Sequence, residues 1–430
     1  MGAGSEPHGW RQANAVTAPG SARKVLFVAE AVTLAHVVRP VTLARSLHEQ
    51  GWDVTLAADP RYSTIVGPLP FKVEPIRTMP PQRFQDAITS GGPIFDFPTL
   101  DRYVADELAL LDRLRPQLVV GDFRISLAVS ARLARIPFVN VTNAYWSPLA
   151  RIRHVVPEFA WVRRLGLPAA QWAFGAFERI GYALHAAPVN RVRRKYGLPA
   201  IGSDFRNALT DGDVTCFADI PEIIPTAPLP PNQCFIGPVP WSPPGPPPPW
   251  WEEVRQRDPN RPLVYATLGS SGPAGVLQSV LDGLAGLPVD VVASTAGRDE
   301  PLRAPQNARV AALLPGDLAC AAADLVICNG GSPGTYQALA HGKPVIGIAT
   351  NMDQFLNMAA VEYAGCGRLL RSRPAGVLDF DLGSAVTTLL RDESVACNLR
   401  CLAPHLAGRQ AVDVFLKIAS AALSAGSASH

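Results

Sequence analysis

One histidine of this 430-residue chain stands where it could move a proton. His36 lies in Ala29-Glu-Ala-Val-Thr-Leu-Ala-His36-Val-Val-Arg-Pro40, in the loop after an apolar run and just ahead of a helical pattern. An imidazole can take up a proton near neutrality, as an attacking hydroxyl requires. A lone histidine is otherwise commonly structural. Asp122, in Val119-Val-Gly-Asp-Phe123, closes another apolar run. It could orient an imidazole and stabilise its charged form, or cap the helix that follows. A third candidate is the turn Asn329-Gly-Gly-Ser-Pro-Gly-Thr335, set between an apolar strand and a helix. Gly330, Gly331 and Gly334 permit close backbone approach and positive φ, and Ser332 and Thr335 place hydroxyls at a helix start. Free N–H groups there favour a phosphate. Neither the Walker lysine spacing nor a full GxGxxG fingerprint is present. Further on, the adjacent acid and amide of Asp353-Gln354 suit vicinal sugar hydroxyls or, read alone, a helix cap.

Other chemistries fit less well. Asp211-Gly-Asp213 and Asp379-Phe-Asp381 imitate a metal-binding triplet, but neither sits in a strand–loop context beside a nucleotide site. The seven cysteines, Cys216, Cys234, Cys320, Cys328, Cys366, Cys397 and Cys401, include no CxxC pair. An odd count in apolar surroundings points to a reducing compartment rather than to a disulfide framework or a zinc site.

The elements that must position these groups follow from the pattern. Lys24 to Ala29 suits a central parallel strand, Val41 to Gln50 a helix ended by Gly51, and Asp53 to Ala57 the next strand. Leu118–Gly121, Ser126–Ala134 and Phe138–Val141 continue the alternation, which predicts a doubly wound parallel sheet. Residues 150–196 break the rhythm and carry Phe159, Trp161, Trp172, Phe174, Phe177 and Tyr182 among arginines. Helices over a cleft are expected there, with the aromatic stripe either lining a pocket or forming a buried face. The proline-rich stretch 237–250 reads as a stiff linker. Beyond it the strand–helix rhythm restarts, with Leu263–Leu268, Val276–Leu284, Val289–Ser294, Ala308–Ala312, Leu325–Cys328 and Val345–Ile348. The expected division is a disordered leader over 1–22, an α/β domain over 23–236, the linker, and a second α/β domain over 251–404. The segment 405–430 would hold a helix able to fold back on the first domain.

Composition bounds the partners. With 48% hydrophobic and 17% charged residues, general disorder is excluded. A net charge of +3 argues against a dedicated nucleic-acid binder. The cluster Arg191, Arg193, Arg194 and Lys195 reads as a solvated helix face, with a phospholipid-headgroup patch as the alternative. No run of about 18 apolar residues lacks a charge, and Glu30 interrupts the one stretch that imitates a signal peptide. A cytoplasmic location is expected, with peripheral membrane contact not favoured.

The second half resembles the donor-binding half of GT-B nucleotide-sugar glycosyltransferases, and is most similar to the family-1 bacterial enzymes related to macrolide and flavonoid glycosyltransferases. Their pattern, His-Gly-Gly-x-Gly-Thr, a helix, Gly-x-Pro, a strand, then Asp-Gln and Asn, is matched by Gly330, Gly331, Gly334, Thr335, Gly342, Pro344, Asp353, Gln354 and Asn357. The sequence departs where Asn329 replaces the phosphate-contacting histidine and where Ser332-Pro333 adds a residue. Gly269, Ser270 and Ser271 are similar to the family's phosphate-facing turn, and Leu314-Pro315 to the place where its backbone meets the base. The resemblance implies two Rossmann-like domains facing across a cleft, with His36 as general base and Asp122 as its support. It implies a single displacement with inversion, carrying a sugar from a UDP- or dTDP-sugar to a hydroxyl of a small hydrophobic acceptor. Glucose is favoured as that sugar on the Asp-Gln pair, and neither a bound cofactor nor a metal is expected. A sugar-nucleotide epimerase of the same fold and a non-catalytic partner of a transferase are the alternatives.

Overall fold

The computed structural model describes residues 23–159, 161–269, 275–299, 301–372, 378, 381–406 and 409–428. The expected leader and the predicted site residues Ser270 and Ser271 lie outside them.

Among the described residues, thirteen parallel strands form two sheets. The first contains β1 (Lys24–Ala29), β2 (Asp53–Ala57), β3 (Lys72–Glu74), β4 (Leu118–Asp122), β5 (Phe138–Thr142), β6 (Val214–Phe217) and β7 (Gln233–Phe235), in the order 3-2-1-4-5-6-7. The second contains β8 (Leu263–Thr267), β9 (Asp290–Ser294), β10 (Ala308–Ala311), β11 (Leu325–Cys328), β12 (Val345–Ala349) and β13 (Gly367–Arg371), in the order 10-9-8-11-12-13. β4, β5, β11 and β12 are buried throughout, the signature of strands covered by helices on both faces.

Strand order reverses once in each sheet, between β1 and β4 and between β8 and β11. Loops diverge at such a point and open a crevice beyond the carboxyl ends of the strands. In register, Ala29 pairs with Asp122 and Thr267 with Cys328. The segments carrying His36, Asp122, Gly269 and Asn329 all leave the sheets at these two crevices.

Two features depart from the expectation, the start of the first helix and several additional elements. The first helix runs Ala35–Glu49, so His36 lies in its first turn rather than in a preceding loop. Pro40 sits inside that helix. It cannot donate to the His36 carbonyl, which made the sequence read as though the helix began later. The strands β3, β6, β7 and β13 and the helix Phe97–Leu114 were not anticipated. β3 and β7 have three residues each, too short for a periodic signal. The helix Arg409–Ala428 packs on the first sheet, its Ala411, Phe415 and Ala419 joining Phe27, Leu118 and Val139 in one buried cluster.

Candidate functional site

Asp122 ends β4 and is 1% exposed. His36 Nδ1 meets Asp122 Oδ1 at 2.7 Å, and the Arg39 guanidinium lies 2.7 Å from Asp122 Oδ2. Asp122 does not cap the following helix, which begins at Leu127 after Ser126. Phe123 takes φ +55° and stacks on the His36 ring at 4.6 Å and 14°. The imidazole is thus held by a carboxylate at one nitrogen and by an aromatic face, with Nε2 as the nitrogen left to act.

A buried ion cluster stiffens the two segments beneath this pair. Arg124 is fully buried between Glu30 Oε2 at 2.7 Å and Glu107 Oε1 at 2.6 Å, with the Tyr103 ring 3.6 Å from its guanidinium carbon. Glu30 also accepts from Met79 N and Tyr103 Oη, and Glu107 from the Ser126 and Ser130 hydroxyls. Burial pushes the Glu107 carboxyl up, against Arg124 and the two serines. In the sequence Glu30 stood out only as a charge in an apolar run.

Arg39 extends the network towards the second sheet. Burial opposes its charge, yet Asp122 above all, then Tyr145, Asp219 and Asp353, hold it above the ordinary arginine value. It donates to Asn143 Oδ1 at 3.0 Å, and Asn143 Nδ2 donates at 3.0 Å to both Asp219 Oδ1 and Ser332 Oγ. Burial lifts the Asp219 carboxyl to about 6, despite hydrogen bonds from Ala144 N and Asn143. Tyr145 Oη and Trp146 Nε1, from the turn after β5, each donate to Asp353 Oδ1 at 2.9 Å. Arg39, Asn143, Tyr145, Trp146 and Asp219 were missed at the sequence level. Only the position of Asn143 to Trp146 just past a parallel strand could have flagged them.

On the second sheet, Gly269 follows β8 with φ +60°, and a Cβ there would lie 3.3 Å from Asn329 Nδ2. Asn329 Oδ1 accepts from Gly331 N at 3.1 Å, folding the glycine turn tightly. Gly330 takes φ +77°, and a Cβ on it would come within 2.5 Å of Met358. Asn357 Nδ2 braces the Gly330 carbonyl at 2.8 Å, so this buried amide supports the turn rather than facing the cleft. The helix Ser332–Ala340 starts here, and Pro333 removes one N–H from its first turn.

Asp353 and Gln354 open the helix Met352–Tyr363, but its cap is Asn351, whose side chain accepts from Gln354 N at 3.1 Å. Gln354 is 2% exposed, and its Oε1 accepts from Thr350 N and Oγ1. Its Nε2 and Asp353 Oδ2 take no part in these hydrogen bonds.

A cavity of about 710 Å³ brings these groups together. Its wall includes His36, Arg39 and Asn143 from the first sheet and Gly269, Leu314, Asn329, Gly331, Ser332, Gly334, Asp353 and Gln354 from the second. Phe159, Trp161, Phe174, Phe177 and Tyr182 line its other end, whereas Trp172 points away and is 74% exposed. Four predicted residues among those described are not on the wall, one of them Asp122, which lies against His36 at 2.7 Å. Thr335 is fully buried, its hydroxyl beside the sulfurs of Cys328 and Met358, because its place in the first helical turn faces the sheet. Gly330 is turned towards Met358, and Pro315 precedes a helix while Leu314 faces the cavity. Asp211 accepts from Arg132 and Arg193, and Asp213 from Phe138 N, so that triplet braces the fold.

Comparison with known proteins gives a consistent neighbourhood. Residues 278–410 match the model for the erythromycin biosynthesis protein CIII-like C-terminal domain. A PGL/p-HBAD biosynthesis rhamnosyltransferase of Mycobacterium bovis is 50% identical over 83% of this chain and 79% of its own length. A PGL/p-HBAD biosynthesis glycosyltransferase of Mycobacterium tuberculosis is 48% identical over 84% and 83%. Among solved structures, the spinosyn rhamnosyltransferase SpnG superposes with a TM-score of 0.66 at 21% identity, covering 92% of this chain and 99% of that one. SpnG is also known in complexes with thymidine diphosphate and with spinosyn aglycone.

Proposed function

The chain belongs to the GT-B glycosyltransferases of the family-1 type, and from that premise we propose that it transfers a 6-deoxyhexose, rhamnose first, from a dTDP- or UDP-sugar to a hydroxyl of a largely apolar acceptor. One observation carries the reading: His36, held by Asp122 at 2.7 Å, lines the same cavity as the Gly331–Gly334 and Asp353–Gln354 segments. Rhamnose displaces glucose as the favoured sugar because a relative of half-identical sequence is named a rhamnosyltransferase. Thymidine diphosphate enters on the SpnG complex.

In this reading His36 Nε2 accepts the proton of the acceptor hydroxyl as its oxygen attacks the anomeric carbon from the side opposite the diphosphate. The new C–O bond forms as the bond to the diphosphate breaks, with inversion. Asp122 holds Nδ1–H and stabilises the imidazolium. Arg39, on the far side of Asp122, keeps that carboxylate fixed. The departing diphosphate meets the N–H groups of Ser332 and Gly334, the Ser332 hydroxyl and the Asn329 side chain, a preorganised hydrogen-bonding surface. Asp353 Oδ2 and Gln354 Nε2 take sugar hydroxyls. No metal is required in this scheme. The aromatic end of the cavity receives the acceptor.

The test is product formation by the purified chain with a phenolic acceptor and either dTDP-rhamnose or UDP-glucose, read by mass spectrometry. A deoxyhexosyl product in preference to a hexosyl one supports the reading. Release of free sugar and nucleotide whether or not acceptor is present would instead favour an epimerase-like reaction, and inertness with every donor a non-catalytic partner.

A further inference from the structure

Six of the nine large hydrophobic side chains that stand exposed among the described residues fall within one short stretch: Leu165, Leu167, Trp172, Phe177, Ile180 and Leu184. Most lie on the helix Leu167–Lys195, where Trp172, Ala176, Ile180 and Leu184 recur every four residues and so share one face. Exposed apolar patches of this extent mark a contact surface. Among the described residues of the same segment, 151–184, the exposed charges have one sign. Arg151, Arg153, Arg164 and Arg179 are exposed, whereas Glu158 is tied to Arg371 and Glu178 to His154 and Tyr182. The stripe is also continuous with the cavity, since Leu165, Phe177, Ile180 and Leu184 form part of its wall. Beyond Pro188 the same helix changes character. Arg193 is buried against Asp211 and Lys195 is paired with Asp101, so these two members of the basic run are already engaged.

We propose that this face docks on an anionic phospholipid bilayer, lying flat with its apolar stripe at the headgroup–acyl boundary and its arginines against lipid phosphates. An apolar face whose own segment exposes arginines is the composition that binds such a surface. A second copy of the chain would fit it less well, because joining two such faces brings arginines of like charge to one seam. Among the described residues no helix is long and apolar enough to cross a membrane, which leaves an in-plane mode. The placement lets an apolar acceptor pass from the bilayer into the cavity mouth without crossing water.

The experiment is co-sedimentation of the full chain with vesicles of phosphatidylcholine alone and of an equal mixture with phosphatidylglycerol. Binding to the mixed vesicles is expected, weakened about tenfold or more by raised salt or by omitting the anionic lipid. The double change Leu167→Glu and Trp172→Glu, at residues outside the cavity wall, should lower binding about tenfold with an unchanged melting temperature. Arg164→Gln with Arg179→Gln should abolish the preference for anionic lipid. The proposal is overturned if the chain stays in the supernatant, if the Leu167/Trp172 variant sediments like the parent, or if light scattering shows a dimer that this variant splits. Vesicle binding is read without turnover, so its failure leaves the transfer reading untouched.

Discussion

A proton-transfer reading of His36 has to survive a plain competitor, a buried histidine that merely fills a hydrogen bond. Its geometry supports the proton-transfer reading. The ring is 16% exposed, one nitrogen is spent on Asp122, and the ring edge reaches a cavity shared with the donor-side residues. His36→Ala should therefore lower the transfer rate by roughly a hundred- to ten-thousand-fold, with nucleotide diphosphate affinity unchanged by calorimetry. Asp122→Asn should lose less, and the double variant little more than His36→Ala, because the pair acts as one unit. Additive losses would assign Asp122 to the Arg39 and Asn143 network alone. Asp353 makes a different case. Its Oδ1 is occupied by Tyr145 and Trp146, so the residue joins the two halves and, in the proposed reading, offers Oδ2 to a sugar. Asp353→Ala is expected to weaken the sugar nucleotide about tenfold or more beyond any loss for the bare diphosphate, as charged hydrogen bonds contribute roughly 1.5–3 kcal/mol each. Equal losses for the two ligands, measured in parallel titrations, would leave only the joining role.

At the scale of elements, the strand–turn–helix units around β1, β4, β11 and β12 were legible because buried parallel strands are short apolar runs and their turns need glycine. Gly330 shows why: at φ +77° and 2.5 Å from Met358, it admits no side chain. Gly330→Ala should lower the melting temperature and weaken donor binding together, where a change at the open Gly334 would spare the fold. The sequence concealed what depends on distant partners. Nothing local marks Asn143 as the link from Arg39 to Ser332, nor Thr335 as a core residue, because those outcomes are set by how two sheets meet. Asp219, at the segment after β6, is a titratable case of the same kind. Its folded carboxyl titrates near 6 against an ordinary value of 3.8. The folded state therefore binds the proton more tightly than the unfolded chain. That contribution is full below 3.8 and is lost as pH rises through about 6, a difference on the order of 3 kcal/mol. Thermal melts from pH 4 to 7 should show a downward slope that is flattened in Asp219→Asn, whereas parallel curves for the two proteins would reject Asp219 as its source.

Across the whole molecule, the chain crosses from the first half to the second near residue 250 and returns at its end. The helix Arg409–Ala428 lies far from β1 in sequence, yet Phe415 is fully buried there with its ring 6.2 Å from that of Phe27. The first core is thus completed by the last helix, while the second core is built from residues of its own sheet and helices plus Ala144, Tyr145, Phe217, Ile220, Ile223 and Ile224 of the first half. This arrangement makes the loss of one C-terminal side chain a defect of the N-terminal sheet. Phe415→Ala removes a large buried ring and should cost about 3–5 kcal/mol. The loss should be uneven: amide exchange ought to quicken in β1, β4 and β5, which pack against that helix, and stay slow in β8, β11 and β12. Nucleotide diphosphate binding, held by the second sheet, should persist at temperatures where acceptor-side function has already gone. Uniform quickening across both sheets would mean that the two halves unfold as one unit, through the bonds that Asn143, Tyr145 and Trp146 make to Ser332 and Asp353. Combining Phe415→Ala with Trp146→Phe distinguishes these cases, because removing one of those bonds should decouple the halves only if such bonds carry the cooperativity.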